Sequence, residues 1–271
     1  MRLKVAHTTR YEFSQPVSHG LQRLRLTPKS TAGQHVLDWQ MRYDGAVEEV
    51  SYEDHNHNRV TLVSVVSGVK EVVVHCEGLV ATADNHGVIG HHSGHMPLWS
   101  FLDQSPLTRP GPRVRAILGQ IDAPKSDVLA ALHQLSTLVL GNVAYTTGET
   151  EVRTTAEEAA ALGMGVCQDH AHIFIGAART LGVPARYVSG YLMMDDRIEQ
   201  EASHAWAEAH VEGLGWVGFD VSNGISPDER YVRVATGRDY REAAPVTGLS
   251  WGPGESRLAV QLAVEQQHIE Q

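Results

Sequence analysis

Three short segments of this sequence carry the residue types that nucleophilic catalysis needs. They are Gly165-Val-Cys167-Gln-Asp-His170, Ser203-His204-Ala-Trp206 and Trp216-Val-Gly-Phe-Asp220, which supply a thiol, an imidazole and a carboxylate. A thiol at the start of a helix is stabilised as the thiolate by unpaired backbone N–H groups and by the helix dipole. A nearby histidine completes a thiolate–imidazolium pair, and a carboxylate on the far ring nitrogen fixes the tautomer. These residue types predict that Cys167, His204 and Asp220 act together.

Each of these residues alone has a simpler interpretation. A single cysteine on an apolar helix face is usually a small hydrophobic residue. Any one of the 16 histidines carries little weight by itself, and an aspartate near a strand end often starts a turn. The order of the three residues favours catalysis, because the cysteine opens a helix and the histidine and aspartate follow on successive strands.

The helix that would carry the thiol has clear ends. We expect it to run from Cys167 to Leu181, since Gly182 follows and Pro184 lies just beyond. Its apolar residues have helical spacing, namely Ala171, Phe174, Ile175 and Ala178. The spacing places Cys167 in the first turn, on the same face.

The histidine and the carboxylate would lie on neighbouring antiparallel strands, Ser203–Val211 and Trp216–Val221. If the connecting loop has an odd number of residues, His210 pairs with Trp216 and the side chain of Asp220 points to the face of His204. An even loop would turn the carboxylate to the opposite face. We therefore predict an odd loop or a bulge, and a ring-to-carboxylate distance beyond hydrogen-bond reach would refute this register.

The rest of the chain divides into a β-rich first part and a mixed second part. Alternating segments with turn residues between them predict an antiparallel β-sandwich domain over residues 1–105. Residues 84–113 are rich in glycine and proline, and we expect a linker over 106–125. Helices capped at Asp127 and Thr155 and further strands then form an α+β catalytic domain over 126–271.

Composition excludes several classes of protein. The 271 residues are 42% apolar and 20% charged, which is typical of a folded chain with a core. The net charge of −10 disfavours a nucleic-acid partner, which needs clustered lysine and arginine. We find neither an apolar run of about 18 residues that could span a membrane nor a signal peptide. We therefore expect a cytoplasmic protein without a membrane partner, and the oligomeric state stays open.

The flanking residues resemble those of the bacterial transglutaminase-like superfamily, of its cysteine peptidase type. The resemblance rests on Gly165-Val-Cys-Gln-Asp-His-Ala-His172, Leu181-Gly-Val-Pro-Ala-Arg-Tyr-Val-Ser-Gly-Tyr191, His204-Ala-Trp-Ala-Glu208 and Gly215-Trp-Val-Gly-Phe-Asp220. It is strong over residues 140–240. Thr9-Arg-Tyr11 and Leu24-Arg-Leu-Thr-Pro28 also resemble the β-rich domain that precedes this core in bacterial members. The sequence departs from the family at Val221-Ser222-Asn223, where Pro-Thr-Asn is commoner.

The resemblance implies a papain-like fold, in which a helix carrying Cys167 packs on an antiparallel sheet carrying His204 and Asp220. It also implies acyl transfer through a thioester on a protein or peptide substrate, with no cofactor. Water as the second nucleophile gives a peptidase or amidase, which we favour, and a lysine amine gives a transglutaminase. A third alternative is a binding or scaffold protein that has lost activity.

Four further residues are candidates for substrate binding or for the oxyanion site, namely Tyr145, Gln168, His170 and Trp206. For His170, three residues after the thiol, packing or a substrate contact is more consistent with its position than proton transfer. Four histidines in the glycine-rich segment, His86, His91, His92 and His95, have spacing that could hold zinc or nickel. No cysteine or well-placed acid joins them, so we expect a solvated loop and no metal. Cys76 is expected to be an inert buried thiol in a strand.

Overall fold

Antiparallel sheets dominate the fold. The computed structural model describes residues 1–124, 126–195, 198–200, 202–251 and 256–267. The strands of its first part are β1 (Arg2–Phe13), β2 (His19–Leu24), β3 (Gln34–Asp44), β4 (Ala46–Glu53), β5 (Arg59–Val65), β6 (Glu71–Thr82) and β7 (Val88–Gly90). A 3₁₀ helix, Leu98–Leu102, follows them.

The second part mixes helices and strands. In chain order it contains α1 (Pro112–Leu118), α2 (Val128–Asn142), β8 (Ala144–Tyr145), α3 (Ala156–Leu162), β9 (Met164–Gly165), α4 (Cys167–Thr180), β10 (Ala185–Leu192), β11 (Glu199–Gln200), β12 (His204–Val211), β13 (Gly215–Phe219), β14 (Tyr231–Gly237), α5 (Tyr240–Ala243), β15 (Val246–Trp251) and β16 (Ser256–Gln266). None of the helices in the described ranges is long and apolar enough to cross a bilayer.

Two of the sheets face each other and form the predicted sandwich, here called the N-terminal sandwich. Their strand orders are β11-β16-β1-β6-β3 and β15-β2-β5-β4. Residues of β1 alternate between exposed and buried, as a strand with one face on a core requires. Leu24, Val63, Val72 and Val74 fill the space between the sheets, and Cys76 lies buried among them.

The last two strands belong to this sandwich rather than to the second part of the chain. β16 pairs with β1 along its whole length, from Phe13↔Ser256 to Leu3↔Gln266. β15 pairs with β2 in the other sheet. The predicted domain over 126–271 therefore does not follow the sheet topology, because its final strands complete the sheets that residues 1–82 begin.

A third sheet, here called the central sheet, has the strand order β14-β10-β12-β13-β7. Helix α4 packs on one of its faces, against the small residues Ala205, Ala207 and Ala209 of β12. The rings of Phe174 and Phe219 stack at 4.9 Å between helix and sheet. This helix-on-antiparallel-sheet arrangement is the α+β class expected from the sequence.

Of the segment expected to be a linker, 106–125, the described residues 106–124 are part of the packed structure, and residue 125 lies outside the described residues. It contains α1, which begins with proline in its first turn and places Val114 and Ile117 in the main core. The Glu157 carboxylate of α3 accepts hydrogen bonds from three backbone N–H groups at the start of α1. The proline and glycine content predicts a break between domains, whereas here proline opens a helix.

The N-terminal sandwich contacts the edge strand of the central sheet, β14, through two side-chain amides. Gln34 accepts a hydrogen bond from the Arg233 N–H and donates to its carbonyl oxygen, at 2.7 and 2.8 Å. Asn58 does the same with Thr236, at 2.9 and 2.8 Å. Each amide replaces the pairing that a neighbouring strand would provide, so the edge of β14 is satisfied without another strand.

Candidate active site

Cys167 is the first residue of α4, as the sequence predicts. The start of the helix is fixed by Asp169, whose Oδ2 accepts hydrogen bonds from the Val166 N–H at 2.8 Å and from the Thr150 hydroxyl at 2.7 Å. A Cβ atom at Gly165 would lie 2.7 Å from that oxygen, so this contact requires glycine. The thiol is half-buried and faces a cleft.

The hairpin of β12 and β13 has the predicted register. His210 pairs with Trp216 and Val211 with Gly215, which leaves a loop of three residues, Glu212 to Leu214. The odd loop turns Asp220 to the face of His204, and the imidazole Nε2 lies 2.6 Å from the carboxylate Oδ2. The prediction of an odd loop is therefore confirmed, together with the distance that could have refuted it.

Two residues that the sequence analysis missed also hold the Asp220 carboxylate. Oδ2 accepts hydrogen bonds from the Tyr231 hydroxyl at 2.6 Å and from the Asn223 amide at 2.7 Å. Asn223 lies in the turn that follows Asp220, and this local spacing could have indicated it. Tyr231 comes from β14, and no feature of the sequence near Asp220 points to it.

The site favours an ionised pair between His204 and Asp220. Burial lowers the pKa of His204, but its hydrogen bonds to Asp220 and Cys167 and the charges of both outweigh burial and raise the pKa to about 10. Burial raises the pKa of Asp220, yet the hydrogen bonds from His204, Tyr231 and Asn223 bring it below its ordinary value. Since Asp220 occupies Nε2, the ring nitrogen that remains for the thiol is Nδ1.

The cleft in front of the thiol has a volume of about 780 Å³. Three tyrosines, Tyr145, Tyr187 and Tyr240, contribute to its walls. Polar residues Gln168, Glu199, Gln200 and Ser203 complete much of the lining. A substrate carbonyl can therefore approach Cys167 from solvent.

Two of the four further candidates lie at this cleft. Tyr145 is half-exposed and lines it. Burial, together with the charges of Cys167 and Asp220, raises the pKa of Tyr145, so its hydroxyl stays protonated and can donate. Gln168 also lines the cleft, and its amide donates to the Val152 carbonyl at 3.0 Å.

The other two candidates are packed away from the cleft. His170 is fully buried, with Nε2 bonded to the Val143 carbonyl at 2.9 Å and Nδ1 to the Ser222 hydroxyl at 2.8 Å. Its ring has no surface to offer a substrate, so of the two roles expected for His170 the structure fits packing and not a substrate contact. Trp206 is 2% exposed and stacks on the His204 ring at 6.2 Å, where it supports the imidazole rather than touching the cleft.

Three of the four histidines of the glycine-rich segment, His86, His92 and His95, have separate partners. His92 bonds to the Met96 carbonyl at 2.7 Å and accepts from the Trp216 indole at 3.1 Å. His95 stacks on His57, and His86 is exposed at a turn. No group of three or more potential metal ligands occurs among the residues that the structure describes.

Two protein families match this chain, one in each of its two parts. Residues 115–221 match the transglutaminase-like superfamily, and residues 3–81 match the bacterial transglutaminase-like N-terminal region. An uncharacterized protein of Mycobacterium leprae is 28% identical over 275 residues, 96% of each chain. An uncharacterized protein of Mycobacterium tuberculosis is 26% identical over 284 residues, 95% of this chain and 90% of the relative.

The fold also has a solved counterpart. The crystal structure of a "Putative Cysteine Protease" from Cytophaga hutchinsonii superposes with a TM-score of 0.74 at 23% identity, over 100% of this chain and 92% of that one. The match to the transglutaminase-like superfamily, residues 115–221, begins within α1 and ends one residue after Asp220. It therefore includes Cys167 and His204 but neither Asn223 nor Tyr231. The chain therefore carries a transglutaminase-like core behind a bacterial transglutaminase-like N-terminal region.

Proposed function

We propose that the protein is a thiol-dependent acyl-transfer enzyme that cleaves peptide or glutamine carboxamide bonds by hydrolysis. The observation that carries this proposal is the placement of Cys167 at the start of α4, beside an imidazole that Asp220 holds at 2.6 Å. In this arrangement the imidazolium form of His204 stabilises a thiolate at a helix N-terminus. The cleft in front of the sulfur gives a substrate access to it.

The reaction proceeds in two halves. The thiolate attacks the carbonyl carbon, and the oxyanion that forms accepts a hydrogen bond from the Cys167 N–H, one of the free donors of the first helical turn. Tyr145 is the second donor that we propose for it. His204 then protonates the leaving nitrogen through Nδ1, the C–N bond breaks, and an acyl thioester remains on Cys167.

The second half restores the enzyme. His204, now neutral, takes a proton from water as the water oxygen attacks the thioester carbonyl. The C–S bond breaks, and the carboxylic acid leaves. The wide cleft and its polar lining at Gln168, Glu199 and Ser203 favour water as the acceptor over a lysine amine, because an amine acceptor competes well only where water is excluded.

A glutamine peptide incubated with a primary amine tests the proposal, with mass spectrometry of the products. Hydrolysis either converts the glutamine amide to an acid, which raises the peptide mass slightly, or splits the peptide. Transamidation instead adds the mass of the amine and releases ammonia. We expect hydrolysis, its loss in Cys167→Ser, and its retention in Cys76→Ala, which removes the other thiol. Amine incorporation would assign transglutaminase activity instead, and the absence of both products over a panel of peptides would favour a binding protein.

A further inference from the structure

A second pocket lies between the N-terminal sandwich and the central sheet, apart from the cleft at Cys167. Its volume is about 490 Å³. Its walls come from the segment after β2, the turn between β4 and β5, the segment after β7, and three strands of the central sheet, β7, β10 and β14. We call it the cationic pocket, because Lys29, Arg59, Arg186 and Arg233 all line it.

Positive charge in this pocket exceeds negative charge. The two buried arginines share one carboxylate, that of Glu208, with N–O distances of 2.6 Å for Arg186 and 2.7 Å for Arg233. Within the described ranges, the ammonium of Lys29 donates only to neutral acceptors, the Asn56 carbonyl at 2.7 Å and the Thr236 hydroxyl at 2.9 Å. Three cations therefore face one buried carboxylate, in a protein whose net charge is −10.

The neighbouring carboxylates do not correct this imbalance. Asp54 is bonded to Arg25 at 3.2 Å, and Glu53, at the mouth of the pocket, is bonded to His57 at 2.7 Å. Burial, followed by repulsion from Arg233 and Arg186, brings the pKa of Lys29 well below its ordinary value. The positive charges of the pocket thus destabilise one another, and an anion bound there would relieve them.

The pocket also has donors without acceptors. Among the described residues no hydrogen-bond acceptor meets the terminal nitrogens of Arg186 or Nη1 of Arg233, since both arginines reach Glu208 through their other nitrogens. Asn56 lines the same pocket, and its Nδ2 is buried without a partner in the described part of the chain. Arg186 is held flat, with its guanidinium 3.8 Å from the centre of the Trp216 ring. Fixed guanidinium planes with free N–H groups are suited to the oxygens of phosphate.

We propose that the cationic pocket binds a small phosphate-type oxyanion between the N-terminal sandwich and the central sheet. Its oxygens would accept hydrogen bonds from Lys29, Arg186 and Arg233. Because the pocket walls come from both parts of the chain, the bound anion stabilises their contact. The proposal is independent of turnover at Cys167.

Calorimetric titration of the full chain with inorganic phosphate tests this site, at constant ionic strength set with chloride. We expect saturable binding of one phosphate per chain. Lys29→Met should weaken it roughly tenfold or more, as expected for loss of one charge-assisted contact. Lys70→Met, the same change at an exposed lysine of the sandwich, should leave it unchanged. A second titration uses phenyl phosphate. Weaker binding than inorganic phosphate indicates an inorganic anion, and tighter binding indicates a phosphate monoester.

A second pair of variants keeps the test valid if Lys29→Met does not fold. Arg59→Gln changes an exposed residue of the pocket lining, and Arg42→Gln is its control on the outer face of the sandwich. We expect weaker phosphate binding only in Arg59→Gln. The proposal is overturned if wild-type protein shows no saturable phosphate binding, or if the pocket variants and their controls weaken it equally.

Discussion

Replacing Asp220 by asparagine removes the negative charge beside His204 while keeping the shape of the side chain. At 2.6 Å and an effective dielectric constant of about 20, the attraction between the two unit charges is about 6 kcal/mol. The neutral amide of asparagine keeps part of this attraction as an ordinary hydrogen bond. Removing one charged partner of a buried ion pair typically costs about 3–5 kcal/mol of stability. Taking about 3 kcal/mol as the loss, the substitution lowers the pKa of His204 by about two. It also lowers the population of the thiolate–imidazolium pair of Cys167 and His204, relative to the neutral pair, up to about 100-fold.

The rate of Cys167 alkylation by iodoacetamide near pH 6 measures this population, because the thiolate reacts and the thiol does not. We expect Asp220→Asn to react up to about 100-fold more slowly there, and the difference to close near pH 9–10, where an ordinary thiol ionises unaided. Asp54→Asn is the matched control, since Asp54 is also a hydrogen-bonded carboxylate paired with a cation but lies in the sandwich. A deficit that is equal at all pH values, or that appears in the control, would refute the electrostatic role of Asp220.

Two substitutions away from the thiol test the packing of α4 and the buried ion pairs of the central sheet. Gly176→Ala would place a Cβ 1.9 Å from the Thr108 carbonyl oxygen, so we expect the free energy of unfolding in urea to fall by several kcal/mol. At Gly141, a Cβ would meet no atom of the described residues within 4 Å beyond its chain neighbours and its own helix backbone, so Gly141→Ala should be neutral or stabilising by up to about 1 kcal/mol. Equal effects would show that the contact at Thr108 relaxes freely. Glu208→Gln leaves two buried arginines without their carboxylate and should cost about 3–5 kcal/mol near pH 7. Burial raises the pKa of Glu208, but its arginine partners outweigh it and lower the pKa to about 2. The stabilisation by ionised Glu208 is therefore complete above its ordinary pKa of 4.5. The difference in free energy of unfolding between variant and wild type should narrow as the pH falls towards 2. A difference that stays constant with pH would contradict this.

Local sequence patterns were sufficient for much of the site. The ends of α4 follow from helix periodicity and from Gly182. The strand register follows from the requirement that Asp220 share a face with His204, which an odd loop satisfies. Both depend on residues within about 20 positions of one another, where geometry leaves few choices.

Pairings between distant segments were not predictable in the same way. Alternation along residues 256–266 indicates a strand but not that its partner is β1, at the opposite end of the chain. The contact between Tyr231 and Asp220 likewise depends on where β14 joins the sheet. Three charged residues, Arg186, Glu208 and Arg233, each stand between apolar neighbours in a strand, a pattern typical of a solvent-exposed face. The structure nevertheless buries all three.

The central claim is that the sulfur of Cys167 exists as a thiolate paired with the His204 imidazolium. The difference in ultraviolet thiolate absorbance between wild-type protein and Cys167→Ser, recorded at neutral pH, measures this species without any substrate. We predict a clear difference that Asp220→Asn diminishes, since Asp220 supports the imidazolium. A wild-type spectrum that matches that of Cys167→Ser, or a difference that Asp220→Asn leaves unchanged, would contradict it.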